Sequence, residues 1–467
     1  MRAAPGLSAT RAPLVRELAA PGAVLGELAA RFPERYPLLL DSAATGPLSE
    51  ASVLLAHPSA ALWLSADGTL RSQGMEPEGS GFLGALDAWW RREQVEAAPG
   101  QAALPFCGGW ALFLGYELAQ EIEPRLQLPR TPLPWVAFAL RTPCALVHEL
   151  RSGRVLAVAE SHAAASLEAI ERDVRAVAGL RPPPDSLAIR SVEEEDPAQY
   201  LARVLRAKEY VRAGDVYQAN LSRPWDVSVG TAGEASAAAA LYARLRAANP
   251  APFAALAQWQ GVAIVSSSPE RLVRVSGRHV DTRPIAGTRP RRGGAADDLR
   301  EMSELAAHPK ERAEHIMLID LERNDLGRVC EPGSVRVDEL MTIESYTHVH
   351  HIVSNVSGTL RPEVTPVGAL RAVFPGGTIT GVPKFRCMQI IAELEAAGRG
   401  AYTGSLGYLT VDGRLDLNIL IRTMTLEGDR VRFHAGAGIV ADSDPERELE
   451  ETRAKARGLL AALGAAP

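Results

Sequence analysis

Cysteine is scarce in this chain: Cys107, Cys144, Cys330 and Cys387 stand singly among 467 residues. With no Cys-x-x-Cys pair and no disulfide spacing, zinc, redox and stapled secreted scaffolds all lose support, and reduced thiols in a cytoplasm are the expectation. Long apolar runs are missing as well. The opening "MRAAPGLSATRAPLVRELAAPG" is broken by prolines and charges where a signal peptide needs an apolar stretch, and no later run approaches membrane-spanning length. Charge of one sign is also absent: 50 Lys and Arg against 56 Asp and Glu give a formal net charge of −6. Such a balance argues against nucleic acid or a membrane as partner, but leaves local cations free to hold a small anion. No low-complexity block, EF-hand spacing or Walker A order occurs.

What remains is a globular chain long enough for a large core. The proline cluster and acidic run of "GLRPPPDSLAIRSVEEEDP" divide it into an N-terminal part, 1–185, and a C-terminal part, 195–462. The first part holds apolar stretches such as "YPLLLDS" and "VAFALRTPCALVHEL", and "RSGRVLAVAES" reads as a hairpin. The second opens with a helix, "DPAQYLARVLRAKEYVRAGD", and a strand, "VYQANLSRPWDVSV"; strand runs joined by Gly turns follow, with helices between them. Strand and helix do not alternate strictly, so the expected fold is α+β, two large antiparallel sheets forming a sandwich flanked by helices.

Chemistry concentrates in the second part. Glu311 and Glu314 lie one helical turn apart, and Glu448, Glu451 and Lys455 share a face of a later helix for which Ser443 and Pro445 are the start signals. Just before it, Gly436 and Gly438 flank Ala437, where backbone N–H groups could approach an anion. Acidic helices, a lysine and bare backbone donors suit a carboxylate bound through Mg²⁺. "FPGGTITGVPKF" puts Thr378 and Thr380 before a helix, either as caps or as donors to an anion. "SYTHVHHIVSNV" alternates His350 and His351 across a strand, Glu270 follows a proline, and Arg422 sits on a nearly all-apolar strand, "LNILIRTM", where it needs an anionic partner. "DTRPIAGTRPR" reads as a tight bend with inert Ala286 at its centre.

Read in order, "GDVYQANLS", "SSPERL", "PIAGTRPR", "ERAEHIMLIDLERNDLGRV", "HHIVS", "FPGGTITGVPK", "YTGSLGY", "LNILIRT" and "AGAGIVADSDPERELEET" closely resemble the chorismate-utilising enzymes over nearly all of residues 200 to 460. That resemblance implies chorismate as substrate and Mg²⁺ as cofactor. By position, Glu314 and Glu451 are then the main Mg²⁺ ligands, with Glu311 and Glu448 in support through water. Gly436, Ala437, Gly438 and Lys455 would hold the ring carboxylate. Arg422 and Tyr402 would hold the enolpyruvyl carboxylate, with Thr378 nearby and Thr288 and Ala286 lining the pocket. Glu270 resembles the general acid for the departing C4 hydroxyl and His351 the site histidine, leaving His348 and His350 structural.

Members that add water carry a lysine base where this chain has Gln218, and glutamine cannot deprotonate water; amination by ammonia follows. The inert Ala286 is a feature of the anthranilate-forming members, whereas several aminodeoxychorismate-forming ones place a nucleophilic lysine there. "NPAPFAAL" and "LLLDSAA", however, depart from the "NPSPYM" and "LLES" of the anthranilate branch, and "HHIVS", "FPGGTITG", "GSLGYL" and "GYELAQEIEP" resemble the aminodeoxychorismate branch. The resemblance thus implies Mg²⁺-dependent amination of chorismate to 4-amino-4-deoxychorismate, for p-aminobenzoate and folate synthesis, with a separate lyase downstream. Its alternative is anthranilate plus pyruvate, in tryptophan synthesis. Cys107 lies in no Gly-x-Cys-x-Gly elbow, so ammonia is expected from a separate glutamine amidotransferase subunit.

Overall fold

The computed structural model describes residues 12–44, 46, 48–96, 104–180, 187–230, 234–291, 294–307, 309–346 and 349–464. His348 and most of the proline cluster lie outside them, as does the side chain of Thr288.

Two antiparallel sheets carry the chain. The first begins, in spatial order, with β1 (Leu14–Leu18), β9 (Val155–Ala159), β8 (Cys144–Glu149), β3 (Ala51–Ala56), β2 (Leu38–Asp41) and β12 (Phe253–Trp259). It continues with β13 (Val262–Ser268), β22 (Thr423–Glu427), β23 (Arg430–Ile439), β11 (Gln218–Gly230) and β10 (Ala188–Glu194), and short β19 (Gly381–Val382) pairs with β11. The second begins with β16 (Ile285–Pro290), β18 (Val349–Thr359), β15 (His279–Arg283), β14 (Arg271–Ser276) and β21 (Leu415–Asn418). It ends with β20 (Ser405–Thr410), β6 (Gly109–Leu114), β7 (Trp135–Thr142), β4 (Ala60–Ser65) and β5 (Leu70–Gln73), and β17 (Arg336–Ser345) pairs with β18. Both chain parts enter both sheets, since β2 pairs with β12 and β6 with β20.

The period of two explains the unbroken apolar runs. In β3, Val53 and Leu55 join the core between the sheets, whereas Leu54 and Ala56 face an outer core under helices. β6 does the same: Ala111 and Phe113 point between the sheets, and Trp110, Leu112 and Leu114 point outward into a helix-covered core. Strands buried on both faces need apolar residues at every position. Phe113, Trp135, Phe138 and Trp259 meet at centroid distances of 4.8–5.9 Å in the middle layer, each ring pair adding about 0.5–1.5 kcal/mol to simple burial.

Two crossings between the sheets position the chemistry. Pro269 and Glu270 carry the chain from β13 in the first sheet to β14 in the second, and Ile419–Arg422 bring it back from β21 to β22. The crossings are tied together: Ile419 N–H donates to Glu270 O at 3.0 Å, Ser268 Oγ to Ile419 O at 2.5 Å, and Ser267 N–H to Arg422 O at 3.1 Å. Arg422 was expected on a strand. It lies instead on this crossing, at a left-handed φ of 52°, a conformation that costs an arginine energy and that the bracing bonds hold in place.

Candidate active site

Glu270 is buried at 4% exposure, and its Oε1 accepts from Thr378 Oγ1 at 2.8 Å. Burial pushes its carboxyl up to about 8, with the charge of Glu322 adding, while the Thr378 bond and Arg422 pull it down. It is therefore a neutral proton donor at neutral pH, the state a general acid needs. Burial lowers the proton affinity of Arg422, and the nearby Glu270 partly restores it.

His351 comes from β18, where it pairs with Thr288 on one side and Glu344 on the other. Burial first, then the charge of Arg422, push its imidazole down to about 3, against a hydrogen bond at Gly287. It is a neutral ring beside a cation, not an acid poised near neutrality. His350 faces the other way, with Nδ1 2.7 Å from Ser345 Oγ and Nε2 3.7 Å from Asp298. The expected bend at Ala286 is a strand: β16 runs straight through it, with a bulge between Ala286 and Thr288 at Gly287, φ 67°. A Cβ on Gly287 would stand 2.7 Å from Glu311 Oε2, so the bulge brings backbone and carboxylate into contact. Ala286 itself is buried opposite Ile352.

The charges of both acidic helices meet at Glu314, beside Gln218. From Pro309–Gly327, Glu314 Oε1 accepts from Gln218 Nε2 at 3.0 Å. Burial raises the Glu314 carboxyl; the Gln218 bond opposes this, Glu311 and Glu451 reinforce it, and Lys455 opposes it. Glu311 pairs with Arg289 at 3.3 Å, and on the Pro445–Ala462 helix Glu451 pairs with Lys455 at 2.8 Å. Asp444, one residue after the expected Ser443, caps that helix by accepting from Arg447 N–H at 3.0 Å, with Pro445 next. Among the described residues no three acidic or histidine side chains close on one point as a metal cluster. Yet a Glu314 carboxylate repelled by those of Glu311 and Glu451, and a buried Gln218 Oε1 with no partner among the described residues, suit a hydrated dication. Glu448 is buried on the same helix, and its charge is felt at Tyr200.

Gly436, Ala437 and Gly438 form no nest. They lie in the ladder of β23 with β11, opposite Ser222, Leu221 and Asn220. Because β22 covers only Arg430–Phe433, the stretch from His434 onward is paired by β11 alone among the described residues, leaving its other edge without a strand there. Lys455 Nζ donates to Gly436 O there at 2.9 Å. A Cβ on Gly438 would meet Gln218 Nε2 at 2.2 Å, and one on Gly436 would meet Leu221 O at 2.6 Å and Tyr402 Oη at 2.8 Å, so close approach dictates both glycines. Tyr402 stacks on His434 at 5.4 Å, and Arg399 lies 5.5 Å over its ring.

Charge interactions link Glu270 to Arg422, Arg422 to His351 and Glu311 to Glu314, and close approaches join His351 to Gly287, Gly287 to Glu311, Glu314 to Gln218, Gln218 to Gly438, and Gly436 to both Lys455 and Tyr402. Neither threonine caps the Lys384–Glu395 helix: Thr378 serves Glu270, and Thr380 Oγ1 donates to Gly376 O at 2.9 Å. Sequence reasoning missed the buried support. Glu395 and Arg399 pair at 2.6 Å beneath Tyr402, and Arg399 Nη2 also donates to Asn220 O at 2.7 Å. Their i,i+4 spacing was the available signal, but it reads equally well as a surface pair.

Residues 53–461 match the family described as chorismate binding enzyme. A Synechocystis protein named anthranilate synthase component I-like is 44% identical over 77% of this chain and 73% of its own. Anthranilate synthase component 1 of Streptomyces coelicolor is 42% identical over 83% and 78%. Among solved structures, anthranilate synthase component I from Streptococcus pneumoniae superposes with a TM-score of 0.76 at 31% identity, covering 89% of this chain and 93% of that one. The menaquinone-specific isochorismate synthase of Escherichia coli, with a TM-score of 0.70 at 20% identity over 98% and 96%, shares the fold. With a match of this span, the chain belongs to the chorismate-binding enzyme family.

Proposed function

We propose that the chain aminates chorismate with ammonia at C2 and releases anthranilate, pyruvate and water. The observation that carries this reading is Ala286: buried in β16, it offers no nucleophile, and Gln218 offers no base to activate water. Ammonia attacks C2, the ring double bonds shift, and the C4–O bond breaks as Glu270 delivers its proton to the departing hydroxyl. Loss of the C2 proton and of the enolpyruvyl group from C3 then gives the aromatic amine and pyruvate. Nitrogen at C4 would take two displacements, with another nucleophile occupying C2 first, and Ala286 cannot be that nucleophile. The sequence expectation of 4-amino-4-deoxychorismate therefore yields to its alternative, which the names of the relatives also favour.

Arg422 and Tyr402 are assigned to the enolpyruvyl carboxylate, and Lys455 with the strand-free edge of β23 to the ring carboxylate. Glu314 and Glu451, supported by Glu311 and Glu448, would hold Mg²⁺, which when bound supplies counter-charge to the substrate carboxylate. All four cysteines are buried and none is placed as a glutaminase nucleophile, which supports a separate glutamine amidotransferase subunit as ammonia source. Among the described residues no helix is long and apolar enough to cross a membrane.

The product decides. Incubation with chorismate, Mg²⁺ and ammonium should yield fluorescent anthranilate directly. A product that becomes p-aminobenzoate only when a lyase is added would instead install the folate-branch reading, which the departures at Asp41 and at Ala251–Ala254 favour.

A further inference from the structure

The segment that carries Thr378 is held from behind by one ammonium. Lys384 Nζ donates to Val373 O at 2.9 Å, to Pro375 O at 2.7 Å and to the carboxylate of Asp325. An ammonium has three protons, and here each has an acceptor, in a place where the lysine side chain is 12% exposed and the aspartate 4%. Val373 ends the Pro366–Val373 helix, whose last carbonyls have no partner within the helix. The ammonium therefore joins three elements: that helix end, the Pro309–Gly327 helix through Asp325, and its own helix, Lys384–Glu395.

Beyond Pro375 the chain is pressed flat against the same support. A Cβ on Gly377 would stand 2.4 Å from Leu321 Cδ2 and 3.1 Å from Glu322 Oε1, so no side chain fits between segment and helix. The next residue is Thr378, whose hydroxyl reaches Glu270 at 2.8 Å. Lys384 touches neither Glu270 nor the groups assigned to chorismate.

We propose that Lys384 is a positioning residue for the acid step: by gripping the carbonyls of Val373 and Pro375 against Asp325, it holds the Phe374–Thr378 segment where Thr378 can donate to Glu270. Electrostatics point the same way. The lysine charge favours the ionised form of Glu322, and the charge of Glu322 helps to keep the proton on Glu270.

The activity readout rests on the function proposed above; a second readout does not. Lys384→Met keeps the length and removes the donors. Its kcat for chorismate consumption with ammonium and Mg²⁺ should fall about 10²-fold with KM for chorismate unchanged. Thr378→Val should fall similarly, and the double variant should fall no further than either single one. Effects that multiply would overturn the proposal, because they would mean that Lys384 does not act through Thr378. Independently of turnover, amide hydrogen exchange at 376–380 should quicken about tenfold in Lys384→Met while β20 keeps its protection. Unchanged exchange, or quickening throughout the molecule, would also overturn it. A wild-type protein that consumes no chorismate would sink the functional reading and leave the exchange result to judge the brace. Should Lys384→Met fail to fold, Asp325→Asn, which leaves the ammonium its two carbonyls, goes through the same cycle with the same expectations.

Discussion

Gln218 donates from Nε2 to Glu314 Oε1 at 3.0 Å, and its own Oε1 has no partner among the described residues. The residue that cannot activate water instead donates to a carboxylate whose proton affinity burial raises, and its bond opposes that rise. Replacing it by leucine removes the donor and lets the proton compete harder for Glu314. The half-saturating Mg²⁺ concentration of Gln218→Leu should rise about 10-fold or more, measured by titrating activity and, without chorismate, by calorimetry. Glu451→Gln should abolish turnover with the fold intact, as should chelation of the wild type; near-normal turnover in either case speaks against the metal assignment.

The acid role of Glu270 predicts a basic limb in the pH profile. The group must be protonated to act, and burial holds its carboxyl at about 8, so kcat/KM should decline as pH rises through that value. Losing the Thr378 bond, which favours the ionised form, shifts the balance toward the proton. Thr378→Val should therefore carry the limb to higher pH even as the rate falls. Glu270→Gln should lose about 10²–10⁴-fold in kcat, and a profile that keeps the wild-type limb in that variant rules Glu270 out as its source.

The fold was legible because burial on both faces leaves a plain trace. Runs such as Leu38–Leu40 and Trp135–Leu140 are apolar at every position, as strands lying between two cores must be. The site was legible through spacing and resemblance where residues keep a periodic place, as Glu311 and Glu314 do. Arg422 was misplaced because its apolar neighbours read as a strand, whereas they line a crossing between sheets that only long-range pairing defines. The glycines at 436 and 438 read as bare backbone open to an anion, but the approach of Leu221 O and Tyr402 to one and of Gln218 to the other, all distant in sequence, is what requires them. Lys384 and the Glu395–Arg399 pair were passed over for the same reason: their importance lies in burial, which local pattern does not report.

Stability should follow pH in a way set by two opposed groups of residues. His351, His315 and His434, with burial the leading cause in each, are pushed down to about 3, 4 and 4, so the unfolded chain binds protons below its ordinary histidine value of about 6.5 that the folded chain does not. Burial raises Glu270 to about 8, Glu117 to about 7 and Glu322 in the same direction, so the folded chain keeps protons that the unfolded chain releases above about 4.3. Between these ordinary values the two sets offset one another. Above pH 6.5 only the carboxyls act, and each still-protonated one lowers stability by about 1.4 kcal/mol per pH unit. Thermal midpoints should be nearly level from pH 5.5 to 6.5 and fall toward pH 8, and Glu270→Gln should lessen that fall.

Ala286 offers the sharpest test of the nucleophile. Its side chain is buried opposite Ile352, one residue before the bulge at Gly287 that lies against Glu311. A lysine there has little room except toward the substrate, and its amine would compete with ammonia for C2. In Ala286→Lys, displacement of the C4 hydroxyl should join chorismate to the protein, seen by intact mass as an adduct equal to chorismate less water. Anthranilate formation should drop about 10²-fold, because C2 is occupied before ammonia arrives. With C2 blocked, the second displacement becomes available, so any released amine should carry its nitrogen at C4 and respond to a lyase. Full anthranilate output with no adduct would mean that β16 does not face the reacting carbon, and Ala286 would then say nothing about which nucleophile the enzyme uses.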